Sequence, residues 1–255
     1  MGNEPNSDAD ADADANAGGS AIADAEVRVT LKLGDETITA SVRVPAAPVA
    51  LGELTPVFRG FAEMVIDRAV KAEESRGRRV SCAAGCGACC RQLVPISEFE
   101  ARHIRDMVDA FPEARREEIR RRFAAGRQRL AESGVLEKLV HPERFTNEEL
   151  GPATLGLEYF RLRIACPFLE DESCSIHPER PIACREYLVT SPPEHCSAPE
   201  QERVEGVVLN RKVSAVINQL GTDKSRRFAR CRSWALPTRC TRRSRPSPSA
   251  TAPTR

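Results

Sequence analysis

Apolar and polar positions first fall into register at Val27, Val29, Leu31 and Leu33, and again at Ile38, Ala40, Val42 and Val44, with Gly34, Asp35 and Glu36 between the runs. A period of two on both sides of a glycine-bearing turn predicts a β-hairpin with one buried face. An isolated hairpin is marginal, so it has to pack on the domain C-terminal to it. Residues 45–52 read as a linker. Thr55 then offers an N-cap with Pro56 at the first helical position, and Phe58, Phe61, Ala62, Val65, Ile66 and Ala69 form a helical stripe. That helix frays over 71–79.

A second helix is announced by the capping box Ser97 and Glu100, with Phe99, Ile104, Met107, Val108 and Phe111 on its apolar face and Pro112 as its stop. A charged helix over 113–132 follows, with Ile119, Phe123 and Leu130 inward; its arginines and glutamates make a solvated face. Residues 135–150 read as a short helix and loop, 159–165 as extended, and 200–220 as helical with Val213, Val216, Ile217 and Leu220 on one face. The fold class expected is α+β and mostly α-helical, with a small N-terminal hairpin and a loop-rich lobe between.

Composition adds the ends. Residues 1–25 alternate aspartate with alanine and hold too little apolar surface to offset the entropy of ordering, so they read as a disordered acidic tail. Residues 223–255 carry nine arginines and read as a basic, largely disordered tail whose only features of order are Cys231, Trp234 and Cys240. One domain over 26–222 is the organisation expected. The formal net charge of +1 selects no acidic or basic partner. The first residues lack the basic and apolar regions of a signal peptide, and no apolar run approaches the ~18 residues of a membrane span. A cytoplasmic protein with no membrane partner is therefore expected.

The chemistry lies in the cysteines. Cys82, Cys86, Cys89 and Cys90 sit within nine positions, separated only by alanine and glycine, and Cys166, Cys174, Cys184 and Cys196 come later at gaps of seven, nine and eleven residues. Thiolates bind soft and borderline metals, and small residues let a backbone wrap closely. Reduced thiols of a cytoplasmic chain favour metal over disulfides. Residues 166–196, poor in periodic apolar positions, read as a segment organised by metal. Four cysteines suffice for one zinc or one iron–sulfur cluster, and eight allow two sites, or one site with thiols left over for redox chemistry. Arg91, Arg180 and Arg185 lie just after cysteine segments and could offset thiolate charge, or equally form surface ion pairs. His177 could replace a thiolate but ranks below the cysteines, and Tyr187 packs on the site or donates a hydrogen bond to it.

These blocks, Cys82-x3-Cys86-x2-Cys89-Cys90 and then Cys166-Pro-Phe-Leu, Cys174-Ser-Ile-His177, Arg180-Pro181, Cys184-Arg185-Glu-Tyr187 and Cys196, resemble the YkgJ-like cysteine-cluster family, described as zinc- or iron-chelating. The resemblance implies a cytoplasmic metal or iron–sulfur protein. The eight thiols, with no other catalytic signature beside them, lead to an iron–sulfur cluster or zinc held for redox or metal handling, with a redox partner protein expected. Two other classes stay open. The spacing Cys82-x3-Cys86-x2-Cys89 is shared by radical S-adenosylmethionine enzymes, and flagellin lysine methylases resemble the family in their clusters, so an iron–sulfur oxidoreductase or a radical-type protein methyltransferase is one. The other is an interaction protein with structural zinc, whose basic tail would meet nucleic acid or another polyanion; few aromatics and balanced charge weigh against nucleic acid.

Overall fold

A computed structural model describes residues 24–33, 36–220 and 232–233. The acidic residues before Asp24, the Gly34–Asp35 turn, and Cys231, Trp234 and Cys240 lie outside the described residues. The hairpin is formed as its alternation predicts: β1 (Asp24–Leu33) pairs antiparallel with β2 (Glu36–Pro45), placing Val27 opposite Val42 and Val29 opposite Ala40. Asp24 and Ala25, assigned by composition to the tail, belong to β1. The face expected to be buried is only half covered, since Val29, Ala40, Val42 and Val44 are partly accessible and Val27 is exposed.

The long helix α1 (Thr55–Glu74) starts one residue earlier than the N-cap reading allows. Thr55 is itself helical, and its hydroxyl donates to the Gly52 carbonyl at 2.6 Å. A 3₁₀ turn over Leu51–Leu54 takes up the end of the expected linker. Ala62, with Phe58 and Ile66, packs against Phe99, Ile182 and Ile217. At the far end, buried Glu73 pairs with Arg76 and Arg78.

Helix α2 (Glu98–Asp109) begins at the expected capping box: the Ser97 hydroxyl accepts from the Glu100 N–H at 3.3 Å, and the Glu100 carboxylate accepts from the Ser97 N–H at 2.9 Å. Next come α3 (Glu113–Glu132), which buries Ile119 and Leu130, and the short α4 (Val135–Val140). These helices enclose the main core of Ile96, Ile104, Val108, Ile119, Leu130, Leu155, Tyr159, Ile164 and Phe168. Phe123 of α3 meets the Phe168 ring edge-on at 5.7 Å between centroids.

Two expectations fail here. Residues 159–165 do not run extended: a π turn (Pro152–Gly156) leads into α5 (Leu157–Arg161), which buries Tyr159 and Phe160. Nor is 200–220 one helix, because only α7 (Val213–Ile217) forms; it buries Ser214 and Ile217 and leaves Val216 and Leu220 exposed. Between α5 and α7 lie a hairpin of β4 (Leu169–Glu170) with β5 (Ser173–Cys174) and the five-residue α6 (Ile182–Glu186). The two-residue strand β3 (Pro95–Ile96) pairs with β6 (Arg232–Ser233), so the span read as a basic tail contains a paired segment. Among the described residues no helix is long and apolar enough to cross a membrane.

Candidate metal centre

The stretch from Cys82 to Cys90 has to fold back on itself, and glycine makes that feasible. Gly85 adopts a φ of +84°, in the left-handed region that L side chains rarely take. Gly87 is buried, and a Cβ there would meet the Leu169 methyl at 2.8 Å as well as the Glu172 carboxylate, so glycine leaves room for these two side-chain ends of the β4–β5 hairpin against the knuckle. A 3₁₀ turn over Ala88–Arg91 then presents Cys89 and Cys90.

Four connections bring the later cysteines to this turn. The Cys166 N–H donates to the Cys90 carbonyl at 2.8 Å. The two-residue turn of the β4–β5 hairpin, with both Asp171 (φ 48°) and Glu172 (φ 56°) left-handed as primed hairpin turns require, places Cys174 across from Leu169. Its Glu172 carboxylate takes a two-pronged ion pair from Arg91 at 2.6 and 2.9 Å, while Arg91 also donates to the Gly87 carbonyl at 2.9 Å. On the other side, Val189 donates its N–H to the Cys82 sulfur at 3.4 Å and accepts from the Ser81 N–H at 2.9 Å. Cys196 is buried and packs with Ala88, Val189, Cys86 and Tyr187.

Cys184 comes in on α6, and the anchor is Glu100. Besides capping α2, its carboxylate accepts the Ile182 N–H at 2.9 Å, which fixes the start of α6 two residues before the thiol. At the other end of α6, buried Glu186 accepts from the N–H groups of Val213 and Ser214 and so ties down α7.

All eight described cysteines are free thiols. Cys89 is an electrostatic neighbour of Cys82, Cys90, Cys166, Cys174, Cys184 and Cys196. Burial is the main cause that raises the thiols of Cys82, Cys174, Cys184 and Cys196 and pushes Cys166 up to about 12. The exception is Cys89, held below the ordinary thiol range first by a hydrogen bond from Cys90, with Arg180 also favouring its thiolate; the same bond drives Cys90 up. Among the described residues no group of three or more cysteine, histidine, aspartate or glutamate side chains forms a ready-made cage for an ion. The sulfurs gather without closing.

The polar residues expected around the thiols separate by role. Arg180 is the one whose charge reaches Cys82, Cys89, Cys174 and Cys184, and its Nε–H is buried with no hydrogen-bond acceptor. Arg185 braces the backbone instead, donating to the carbonyls of Pro178 and Arg180 and pairing with Glu63 at 3.2 Å. Tyr187 donates to the Cys196 sulfur and accepts from the Gln92 amide at 3.1 Å. His177 is exposed on a 3₁₀ turn, with Arg180 and then burial lowering its pKa. Gln92, Glu100 and Glu172 escape a reading of the sequence, because their partners are 95, 82 and 81 residues away.

A lowered thiol pKa means thiolate accumulates at lower pH, and the thiolate is the nucleophile. In reduced, metal-free protein near neutral pH, Cys89 is expected to alkylate with iodoacetamide several-fold faster than the more exposed Cys82. Its rate should also level off at lower pH. Peptide mapping by mass spectrometry reads this directly, and faster labelling of Cys82 would refute it.

No curated protein and no solved structure gives a significant match to this chain. A family model, CxxCxxCC, described as "Putative zinc- or iron-chelating domain", matches residues 81–203. That span takes in all eight of the gathered thiols and both blocks that resemble the YkgJ-like proteins. Over residues 81–203 the chain is similar to the CxxCxxCC zinc- or iron-chelating family.

Proposed function

We propose that the eight gathered cysteines bind metal as thiolates, holding zinc or an iron–sulfur cluster, and that the protein serves redox or metal handling. The observation that carries this reading is the buried Nε–H of Arg180, which lies within electrostatic reach of Cys82, Cys89, Cys174 and Cys184 and has no acceptor. A buried donor without a partner is costly, about 1–3 kcal/mol. An anionic thiolate–metal group would satisfy it, since zinc with four thiolates carries a net charge of −2 and cluster sulfurs accept hydrogen bonds. In both donor softness and compensating charge the residues fit such a group.

Bound there, an iron–sulfur cluster would supply electron transfer and zinc a rigid cross-link. The chain's own groups prepare the place. Arg180 offsets negative charge, and Tyr187, held by Gln92, donates to Cys196. Glu100 fixes the helix that delivers Cys184. Closing on a metal requires the thiols to deprotonate and turn inward, and metal binding drives both. Cytoplasmic residence belongs to the same reading, because that compartment keeps thiols reduced; so does a redox partner protein if the group is a cluster.

Protein purified anaerobically and assayed for zinc, iron and acid-labile sulfide tests the proposal. Iron with stoichiometric sulfide and visible absorbance establishes a cluster, zinc without sulfide establishes a zinc site, and the absence of both refutes the reading. The pH dependence has a fixed sign. Because burial raises most of these thiols, they carry protons at neutral pH in the metal-free protein. Metal must displace those protons, so affinity falls as pH falls, about tenfold per pH unit for each proton displaced. A chelator-competition titration between pH 6 and about 8 should give that slope, and pH-independent affinity would contradict thiol ligation.

A further inference from the structure

Residues 88–91 form a 3₁₀ turn carrying two adjacent cysteines, and such a turn has three residues per revolution. Neighbouring side chains therefore leave the backbone about a third of a turn apart. Cys89 and Cys90 start in different directions, although their sulfurs stay close enough to hydrogen-bond.

The two sides of this step differ in their surroundings. Towards Cys90, the Cys166 N–H donates to the Cys90 carbonyl at 2.8 Å. Cys166 and Cys174 both pack against the main core formed by α2, α3 and the residues around Tyr159. Cys184 comes from α6, at the end of the Glu100 tether. On the opposite side, Cys86 and Cys196 belong to a separate small cluster with Ala88, Val189, Tyr187 and Val204. Cys82 is joined to that cluster through the Val189 N–H at 3.4 Å.

The electrostatic neighbourhoods sort the thiols in the same way. Cys196 feels Cys82, Cys86 and Cys89. Cys184 feels Cys166, Cys89 and Cys174, and Cys90 feels Cys89, Cys166 and Cys174. Only Cys89 belongs to both neighbourhoods, as the residue at the junction should. Arg180 reaches Cys82 and Cys89 on one side and Cys174 and Cys184 on the other, where a single cation between two anionic sites would stand.

We propose that the eight cysteines divide into two four-thiolate metal sites placed back to back across the Cys89–Cys90 step, Cys82, Cys86, Cys89 and Cys196 forming one and Cys90, Cys166, Cys174 and Cys184 the other. This rests on the reading of the thiols as metal ligands and goes beyond it by fixing number and membership. Each set has the donor count and softness for a tetrahedral borderline cation of the zinc class or for one cysteine-ligated cluster.

The test uses the full chain loaded with zinc, and in parallel with cobalt(II) as an optical probe. Two double variants each remove two thiols from one set: Cys82→Ser with Cys196→Ser, and Cys174→Ser with Cys184→Ser. The unsubstituted protein should bind two equivalents per chain and each double variant one, with thiolate-to-cobalt absorbance halved. The surviving equivalent itself reports that the variant still folds. One equivalent in the unsubstituted chain, or loss of all metal from either variant, overturns the division while leaving thiol ligation standing. No metal in the unsubstituted chain instead overturns the metal reading on which the division rests.

Discussion

Replacing Glu100 with alanine is expected to cost about 3–4 kcal/mol of folding stability and to weaken metal binding although residue 100 touches no thiol. The carboxylate is buried, and it accepts from the Ser97 N–H at 2.9 Å, the Ser97 hydroxyl at 2.8 Å and the Ile182 N–H at 2.9 Å. Hydrogen bonds to a charged acceptor contribute about 1.5–3 kcal/mol each, and a buried donor left without a partner costs about 1–3 kcal/mol. Alanine strands two buried N–H groups at once, one at the start of α2 and one at the start of α6. The second loss frees the helix that carries Cys184, so the effect reaches the thiols through the backbone. Glutamine separates the parts. Its carbonyl can keep the Ile182 bond, but its NH₂ would face the Ser97 donors, so Glu100→Gln should lose the cap and retain most metal affinity. Urea denaturation with a parallel zinc titration reads both quantities. A cost below about 1 kcal/mol for alanine, within the range of an ordinary surface change, would show that the tether is not what holds α6.

That result would be invisible in the sequence, and the reason is general to this chain. Signals that act within a few residues were legible. The alternation of Val27 to Val44 gave a hairpin, Ser97 and Glu100 gave a capping box, and the apolar period of 113–132 put Ile119 and Leu130 inside. The cysteine knuckle was legible for the same reason, its chemistry being local. What failed depended on tertiary context. The segment around Tyr159 carries a strand-like alternation, with Phe160, Leu162 and Ile164 set between Arg161 and Arg163. It becomes helical because a π turn feeds it and because Tyr159 and Phe160 are drawn into a core built by α2 and α3. Residues 200–220 have a helical apolar spacing, yet only five of them are helical; Val213 and Ser214 donate to Glu186, and that bond to a distant helix sets where α7 begins. The arginines show the same limit. Spacing placed Arg91, Arg180 and Arg185 near thiols on equal terms, whereas the fold commits Arg91 to Glu172, spends Arg185 on loop carbonyls and leaves only Arg180 with an unspent buried donor among the sulfurs.

Stripping the metal should then unfold one part of the chain and spare another. The main core rests on long helices and many large buried side chains, Ile119, Leu130 and Tyr159 among them. The region that delivers the later cysteines is built differently. Its regular elements are two-residue strands and five-residue helices, and its own cluster of buried residues is only Ala88, Val189 and Cys196. Elements of that length are too short to be stable alone; Phe168 and Ile176 anchor them in the main core and Ile182 beside α1, and the stretches between these anchors are left to cross-links. Structural zinc bound by thiolates contributes about 10–16 kcal/mol of apparent free energy in small domains. Even a third of that, about 4 kcal/mol, would move the midpoint of a chain this size by roughly 8–16 °C. Chelation under reducing conditions should therefore lower the melting temperature by on the order of 10 °C and raise amide exchange across 166–212 and the knuckle at 82–90. The amides of α1, α2 and α3 should keep most of their protection, because their hydrogen bonds and packing do not pass through the thiols. Uniform loss of protection would mean that the helices also depend on the metal. Unchanged exchange at 82–90 and 166–212 would mean that Arg91–Glu172, Glu100–Ile182 and the small Val189 cluster hold this region without it, and the thiols would then be free for chemistry that does not require a permanently bound ion.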